Sequence, residues 1–166
     1  MCSGKTLAGR ALARALDRRF SDSDAAVRLA SGMSAGEFIR KKGLAAFRAA
    51  EAAAVRALAR EGGRVVALGG GFYPSGWRAR LLSSTGVTVF LYCPWTELEK
   101  RLRAARGPRP LLAGPWEKAS VRAGKLHAAR LPYYRRADVT IDTAGLKPEA
   151  VAARIKAALR KKDLLP

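Results

Sequence analysis

The residues with the clearest chemical promise stand at the very start of the chain, where Ser3-Gly4-Lys5-Thr6 reads as the closing half of a phosphate-binding loop. In a loop of the form Gly-x-x-x-x-Gly-Lys-[Ser/Thr], backbone N–H groups wrap a polyphosphate, the lysine reaches its outer phosphates and the hydroxyl meets Mg2+. Counted back from Lys5, Met1 takes the third place of that loop, so its opening glycine and the strand that should deliver it are not in the sequence. Read alone, the tripeptide also fits the plain start of a helix.

Further along, Asp22 and Asp24 flank Ser23. In an extended segment two such side chains share one face, and at the carboxyl end of a strand they sit where open α/β sheets bind ligands. Two carboxylates there suit phosphoryl transfer: one holds the water shell of Mg2+, the other orients an acceptor hydroxyl and takes its proton. Asp24 as the cap of a following helix is the plainer alternative. Arg48 and Glu51, three apart on a helical stretch, face the same way, so the glutamate can hold the guanidinium ready for a ligand carboxylate or can simply form a surface ion pair. Gly69-Gly70-Gly71 admits a ligand close to the backbone, or turns a strand into a helix. Arg109 sits among Gly107, Pro108, Pro110, Gly114 and Pro115, a composition for a hinged lid over a phosphoryl-transfer site or for a static loop.

The elements that must carry these residues alternate. Leu7, Ala11, Leu12, Ala15 and Leu16 give a helix from Lys5 to Arg19. A short strand follows at 20–22 and a short helix at 24–30. Ser34 and Glu37 form a capping box ahead of another helix, and an alanine-rich helix runs from about 44 to 60. Strands are expected at 65–68, 87–92 and 139–141, with helices at 77–83, 95–106, 118–134 and 148–161. The alternation predicts one three-layer α/β domain with a parallel sheet.

Composition narrows the class. In 166 residues, 49% hydrophobic, there is material for a single core, no apolar run long enough to span a bilayer, and no signal peptide, which together point to the cytoplasm. Cys2 and Cys93 have neither disulfide nor metal-ligand spacing. Lys+Arg 32 against Asp+Glu 13 gives +19. The arginines recur through nearly every helix among alanines, so the charge reads as a solvated basic surface with incidental nucleic-acid affinity rather than one dedicated patch.

Taken together, Gly4-Lys5-Thr6, Ser21-Asp22-Ser23-Asp24, Phe47-Arg48-Ala49-Ala50-Glu51, Gly69-Gly70-Gly71, Arg109-Pro110-Leu111-Leu112 and Arg130-Leu131-Pro132-Tyr133-Tyr134 resemble shikimate kinase, a P-loop kinase of the nucleoside-monophosphate-kinase type, in order and spacing over nearly the whole chain. The resemblance implies a monomeric ATP- and Mg2+-dependent transfer to the 3-hydroxyl of shikimate, on the pathway to chorismate and the aromatic amino acids. It implies Ser3, Gly4, Lys5, Thr6, Arg109 and Pro148 on ATP, and Thr6 and Asp22 on the metal side. Asp24 is the implied base, beside Lys5 and Arg109 in catalysis. Arg48, Arg130, Gly69, Gly70 and Gly71 join Asp24 at the substrate, Arg48 and Arg130 on its carboxylate. The lid falls at about 107–118, and the sheet order implied is 2-3-1-4-5 with the first, central strand absent; Met1 is accordingly expected to be an internal methionine of a longer reading frame. Leu44 replaces an acidic residue of the family segment Gly-Glu-x-x-Phe-Arg, an expected loosening of the substrate side. A gluconate- or nucleotide-type kinase on the same fold, and a truncated basic protein without activity, are the alternatives. His127, the sole histidine, is read as a helix residue without catalytic duty, and the tryptophans Trp77, Trp95 and Trp116 as packing residues rather than a stacking platform.

Overall fold

A computed structural model describes residues 2–72, 76–104 and 114–165. Along the chain the elements are α1 (Lys5–Ala15), β1 (Arg19–Asp22), α2 (Ser23–Ser31), α3 (Ala35–Arg60), β2 (Arg64–Ala67), α4 (Gly76–Ser83), β3 (Val89–Tyr92), α5 (Trp95–Ala104), α6 (Trp116–Tyr134), β4 (Val139–Asp142) and α7 (Pro148–Lys161). The expected alternation holds, with two instructive differences. Helix α1 stops four residues short of Arg19 because Asp17 turns to φ 51. The Arg18 N–H then reaches the Ala13 carbonyl at 2.8 Å and the Asp17 N–H the Arg14 carbonyl at 3.3 Å. That is a Schellman stop built on an aspartate where glycine is the usual residue, and it releases Arg19 into β1.

The second difference is at α3, which runs through both expected helices but bends at Gly43, where φ 83 and ψ 162 leave the helical region. Only glycine takes that conformation without strain. The capping box forms as read: Ser34 accepts from the Glu37 N–H at 3.3 Å, and Glu37 accepts from the Ser34 N–H at 2.8 Å.

All strand pairing among the described residues is parallel. β1 pairs with β2, Asp22 opposite Ala67, and β3 pairs with β4, Tyr92 opposite Asp142. These are separate two-stranded sheets. They match the two pairs left by an order of 2-3-1-4-5 without its first strand. Between β2 and β3 lies a cavity of about 540 Å3 bordered by Leu12, Val65, Ala67, Val89, Leu91 and Ile155.

Helices α1 and α7 close one side through a core of Ala8, Leu12, Val151, Ile155 and Leu159 against Val139 and Ile141 of β4. Each large aliphatic side chain buried there contributes about 1.5–3 kcal/mol. A second cluster joins α3 to α4 through Ala52, Val55, Phe72 and Leu82, and a third joins α2 to α3 through Val27, Phe38 and Phe47. The result is a three-layer α/β fold in which Asp22 closes β1 and the glycine triplet follows β2, its parallel neighbour.

Candidate active site

At the head of α1, Gly4 is the N-cap with φ 82 and no side-chain cap hydrogen bond. The first-turn amides of this helix therefore have no partner within the helix or from a capping side chain, and the helix dipole adds positive potential at the same point. Lys5 opens the helix half-buried, with Ser3 in the bend before it. Thr6 donates from Oγ1 to Asp22 Oδ2 at 3.2 Å. These groups suit a polyphosphate with its Mg2+: bare amides and an ammonium for phosphate, and hard oxygen donors on Thr6 and Asp22 for the metal or its waters. Among the described residues no three His, Cys, Asp or Glu side chains cluster to hold a metal by themselves.

Asp22 carries a second duty that corrects the sequence reading. Its Oδ1 accepts from the Asp24 N–H at 3.0 Å and the Ala25 N–H at 3.3 Å, so Asp22, not Asp24, caps α2. The break matches the strand expected at 20–22 and the helix expected at 24–30, so the two aspartates do not share the face of one extended segment. The strand ends at Asp22, and Asp24 lies in the first turn of the helix. Asp24 is thereby left with its carboxylate uncommitted to the cap. The residue opens to solvent, yet one carboxylate oxygen turns inward: a Cβ placed on Gly69 would lie 2.7 Å from it. Desolvation, then the charge of Asp22, pushes the Asp24 carboxyl above its ordinary range, while Lys5 and Arg48 pull it down. Lys5 and Arg48 thus both act electrostatically on this carboxylate.

Ser23, between the two aspartates, is fully buried and accepts the Gly69 N–H at 2.9 Å. This tie fixes the glycine triplet to the start of α2, and nothing in the sequence pattern announced it. Glu51 is also fully buried, and its Oε2 accepts from Arg48 Nη1 at 2.5 Å. The pair is a built anchor rather than a solvated surface contact. Its other oxygen, Oε1, is buried without a hydrogen-bond partner and lies 2.2 Å from where a Cβ on Gly69 would be. Burial pushes the Glu51 carboxyl up; hydrogen bonding and charge from Arg48 pull it back, and Asp24 adds to the rise.

Gly71 presses on Arg48 in the same way, since a Cβ there would fall 1.9 Å from the Arg48 Nη2. The Gly71 carbonyl accepts from Arg78 Nη1 at 3.4 Å, and the Gly70 carbonyl accepts from the Tyr134 hydroxyl. Arg130, half-buried one turn before Tyr134 on the same helix, acts on that hydroxyl with its charge. Asp24, Arg48, Glu51, the glycine triplet and, through Tyr134, Arg130 form one neighbourhood. Sequence reasoning missed Ser23, Arg78 and Tyr134 in it; the only available signal for Tyr134 was its place at i+4 from Arg130.

Pro148 stands at the first position of α7, at the same end of the domain as the Asp142 terminus of β4. Arg109 and the lid residues 107–113 lie outside the described residues. Leu44 follows the Gly43 bend and is 54% exposed. Trp95 packs against His127 with centroids 5.7 Å apart, and burial lowers the His127 pKa, as befits a packing residue. Trp77 differs from its expected packing role: it is 42% exposed, with Arg56 and Arg78 over its ring at 5.1 and 5.2 Å. No helix among the described residues is long and apolar enough to cross a membrane.

Comparison with known proteins fits this geometry. The family model for shikimate kinase matches residues 1–160. A shikimate kinase of Halorhodospira halophila is 40% identical over 161 residues, covering 96% of this chain and 89% of the relative. One of Ruegeria pomeroyi is 37% identical over 167 residues, covering 99% and 84%. Among solved structures, the shikimate kinase of Acinetobacter baumannii in complex with shikimate superposes with a TM-score of 0.89 at 30% identity, covering 98% of this chain and 90% of that one. That of Bacteroides thetaiotaomicron gives 0.89 at 28% identity, covering 96% and 94%.

Proposed function

The chain belongs to the shikimate kinase family, and on that premise we propose that its described site transfers a phosphoryl group from ATP to the 3-hydroxyl of shikimate with Asp24 as the base. The observation that carries this reading is the division of labour between two neighbouring aspartates. Asp22 is bound to the α2 cap and to Thr6, whereas Asp24 is free of the cap and within the fields of Lys5 and Arg48. One carboxylate is committed to the metal side and the other to the acceptor.

When bound, Mg2+-ATP supplies the electrophilic phosphoryl group. The chain supplies position and charge. The α1 amides after Gly4, with Ser3 and Lys5, hold phosphates at the helix end, and Thr6 and Asp22 offer oxygens to the metal side. Arg48, locked by Glu51, and Arg130 take the acceptor's carboxylate, and Gly69 to Gly71 allow its ring against the backbone. With the acceptor so held, Asp24 accepts the proton of the attacking hydroxyl. Arg109 is assigned to the ATP phosphates as the lid residue, and Pro148 to the adenine side. This single-domain, monomeric enzyme works in the cytoplasm on a small molecule, with no membrane and no specific nucleic-acid partner.

A panel of acceptors tests the reading. Shikimate should support ADP formation, and gluconate and nucleoside monophosphates should not exceed the background without acceptor. Turnover of a nucleotide or gluconate in preference to shikimate would replace the proposed acceptor while leaving the phosphate end of the site intact.

A further inference from the structure

Pairing between β1 and β2 ends with Asp22 opposite Ala67. Beyond that rung the two segments part: Ser23 opens α2, and Leu68 leads β2 into the glycine triplet. The backbone ladder therefore stops before the acceptor side of the site begins. A buried N–H still needs a partner, and that of Gly69 donates to Ser23 Oγ at 2.9 Å. A side chain thus continues the link where the ladder has run out. Ser23 is itself fully buried, a place where a hydroxyl is costly unless it is hydrogen-bonded. Past the contact the triplet closes on itself, with the Phe72 N–H donating to the Gly69 carbonyl at 3.0 Å. Fixing Gly69 therefore fixes the turn that follows.

The residue after Ser23 is the proposed base. Asp24 Oδ1 comes within 2.7 Å of the point where a Cβ on Gly69 would lie, so the serine ties together the two sides of that close approach. We propose that Ser23 is a positioning residue for phosphoryl transfer: its Oγ sets the distance between the Gly69–Gly71 backbone and the Asp24 carboxylate, so that an acceptor resting on the triplet meets the base with its hydroxyl. This inference rests on the functional reading above. Arg48 and Arg130, assigned to the acceptor's carboxylate, stand on other elements, α3 and α6. The serine tie therefore governs the alignment of the hydroxyl more than the hold on the acid.

The test is Ser23→Ala, assayed well below its melting temperature. Its kcat should fall by about tenfold to a hundredfold, the scale of a small misplacement of reacting groups, while the KM values for shikimate and ATP stay within about threefold of wild type. Because the serine acts through the base, the same change made in Asp24→Asn should cost less than about twofold of the residual turnover, the non-additivity of two residues in one unit. Ser31→Ala removes a hydroxyl that donates to the Val27 carbonyl at 2.7 Å near the other end of α2; it should lower the melting temperature and leave kcat unchanged. Should Ser23→Ala not fold, Ser23→Cys, which places a weaker acceptor at the same point, should show a smaller loss of kcat with the same dependence on Asp24. An unchanged kcat in the Ser23 variant that folds, a loss confined to the shikimate KM, an undiminished cost in Asp24→Asn, or a Ser31→Ala that mimics Ser23→Ala would each overturn the role. Wild-type protein that releases no shikimate-dependent ADP would defeat the functional reading itself, and the positioning role with it.

Discussion

Arg48 and Glu51 lie three residues apart on α3 and make a 2.5 Å hydrogen bond in which the glutamate has no solvent exposure and the arginine side chain retains 21%. A carboxylate buried to that degree survives charged only beside its partner, because desolvation alone drives it toward the neutral form. Arg48→Ala should therefore do two things. Shikimate binding should weaken by at least about tenfold through loss of the carboxylate contact. Stability should fall by about 3–5 kcal/mol, the usual cost of orphaning one member of a buried pair. The pH dependence has a definite sign. In the variant the Glu51 carboxyl rises further above its ordinary 4.5, so the folded state binds the extra proton and the deficit grows as pH rises and shrinks toward acid. Thermal melts of both proteins between pH 4 and 8, read as a difference, check it; a deficit independent of pH would contradict the buried-charge account.

Asp24→Asn removes a base while keeping size and cap geometry, because the cap belongs to Asp22. Turnover should drop by about 10²–10⁴, the typical worth of a positioned base, while the affinity for ATP is retained. Substantial residual turnover with shikimate would sink the assignment.

The raised pKa of Asp24 sets the acid limb of the rate. Activity needs the ionised carboxylate, so kcat should fall as pH drops through a value above the ordinary carboxylate range. Its second contributor after desolvation is the charge of Asp22. Asp22→Asn should accordingly move that limb to lower pH, alongside a weaker Mg2+ dependence, in a pH profile of the residual rate. A limb that stays in place would mean that Asp22 does not act on Asp24.

Gly69 is a site where a methyl group is poorly tolerable for function, because it would lie 2.2 Å from Glu51 Oε1 and 2.7 Å from Asp24 Oδ1. Gly69→Ala should cut activity by more than tenfold, with Gly86→Ala, whose added carbon meets nothing within 4 Å, as the neutral control. Side-by-side rates and melting temperatures decide it; comparable activity in both would show that the close approach of the two carboxylates is not needed.

The order of strands and helices was readable because each relied on a local signal: the apolar spacing of α1, the capping box at Ser34 and Glu37, the glycines after β2. The phosphate-side residues were legible for the same reason, since Gly4, Lys5 and Thr6 are adjacent in sequence. Local signals also misled. Ser21-Asp22-Ser23-Asp24 offers two caps two residues apart, and only the end of pairing between β1 and β2 decides that Asp22 takes the role. Asp17 in a glycine conformation hid the end of α1. Ser23 and Tyr134 act through residues more than forty positions away, Gly69 and Gly70, and no spacing along the chain encodes such a contact.

The most direct test is ADP release by this chain with Mg2+-ATP, measured with and without shikimate, with the product identified by phosphorus NMR. The account predicts release that depends on shikimate and is matched by phosphate on its 3-hydroxyl. Release that proceeds equally without shikimate, or product phosphorylated at another position, would contradict the assignment of Asp24, Arg48 and Arg130 to this acceptor.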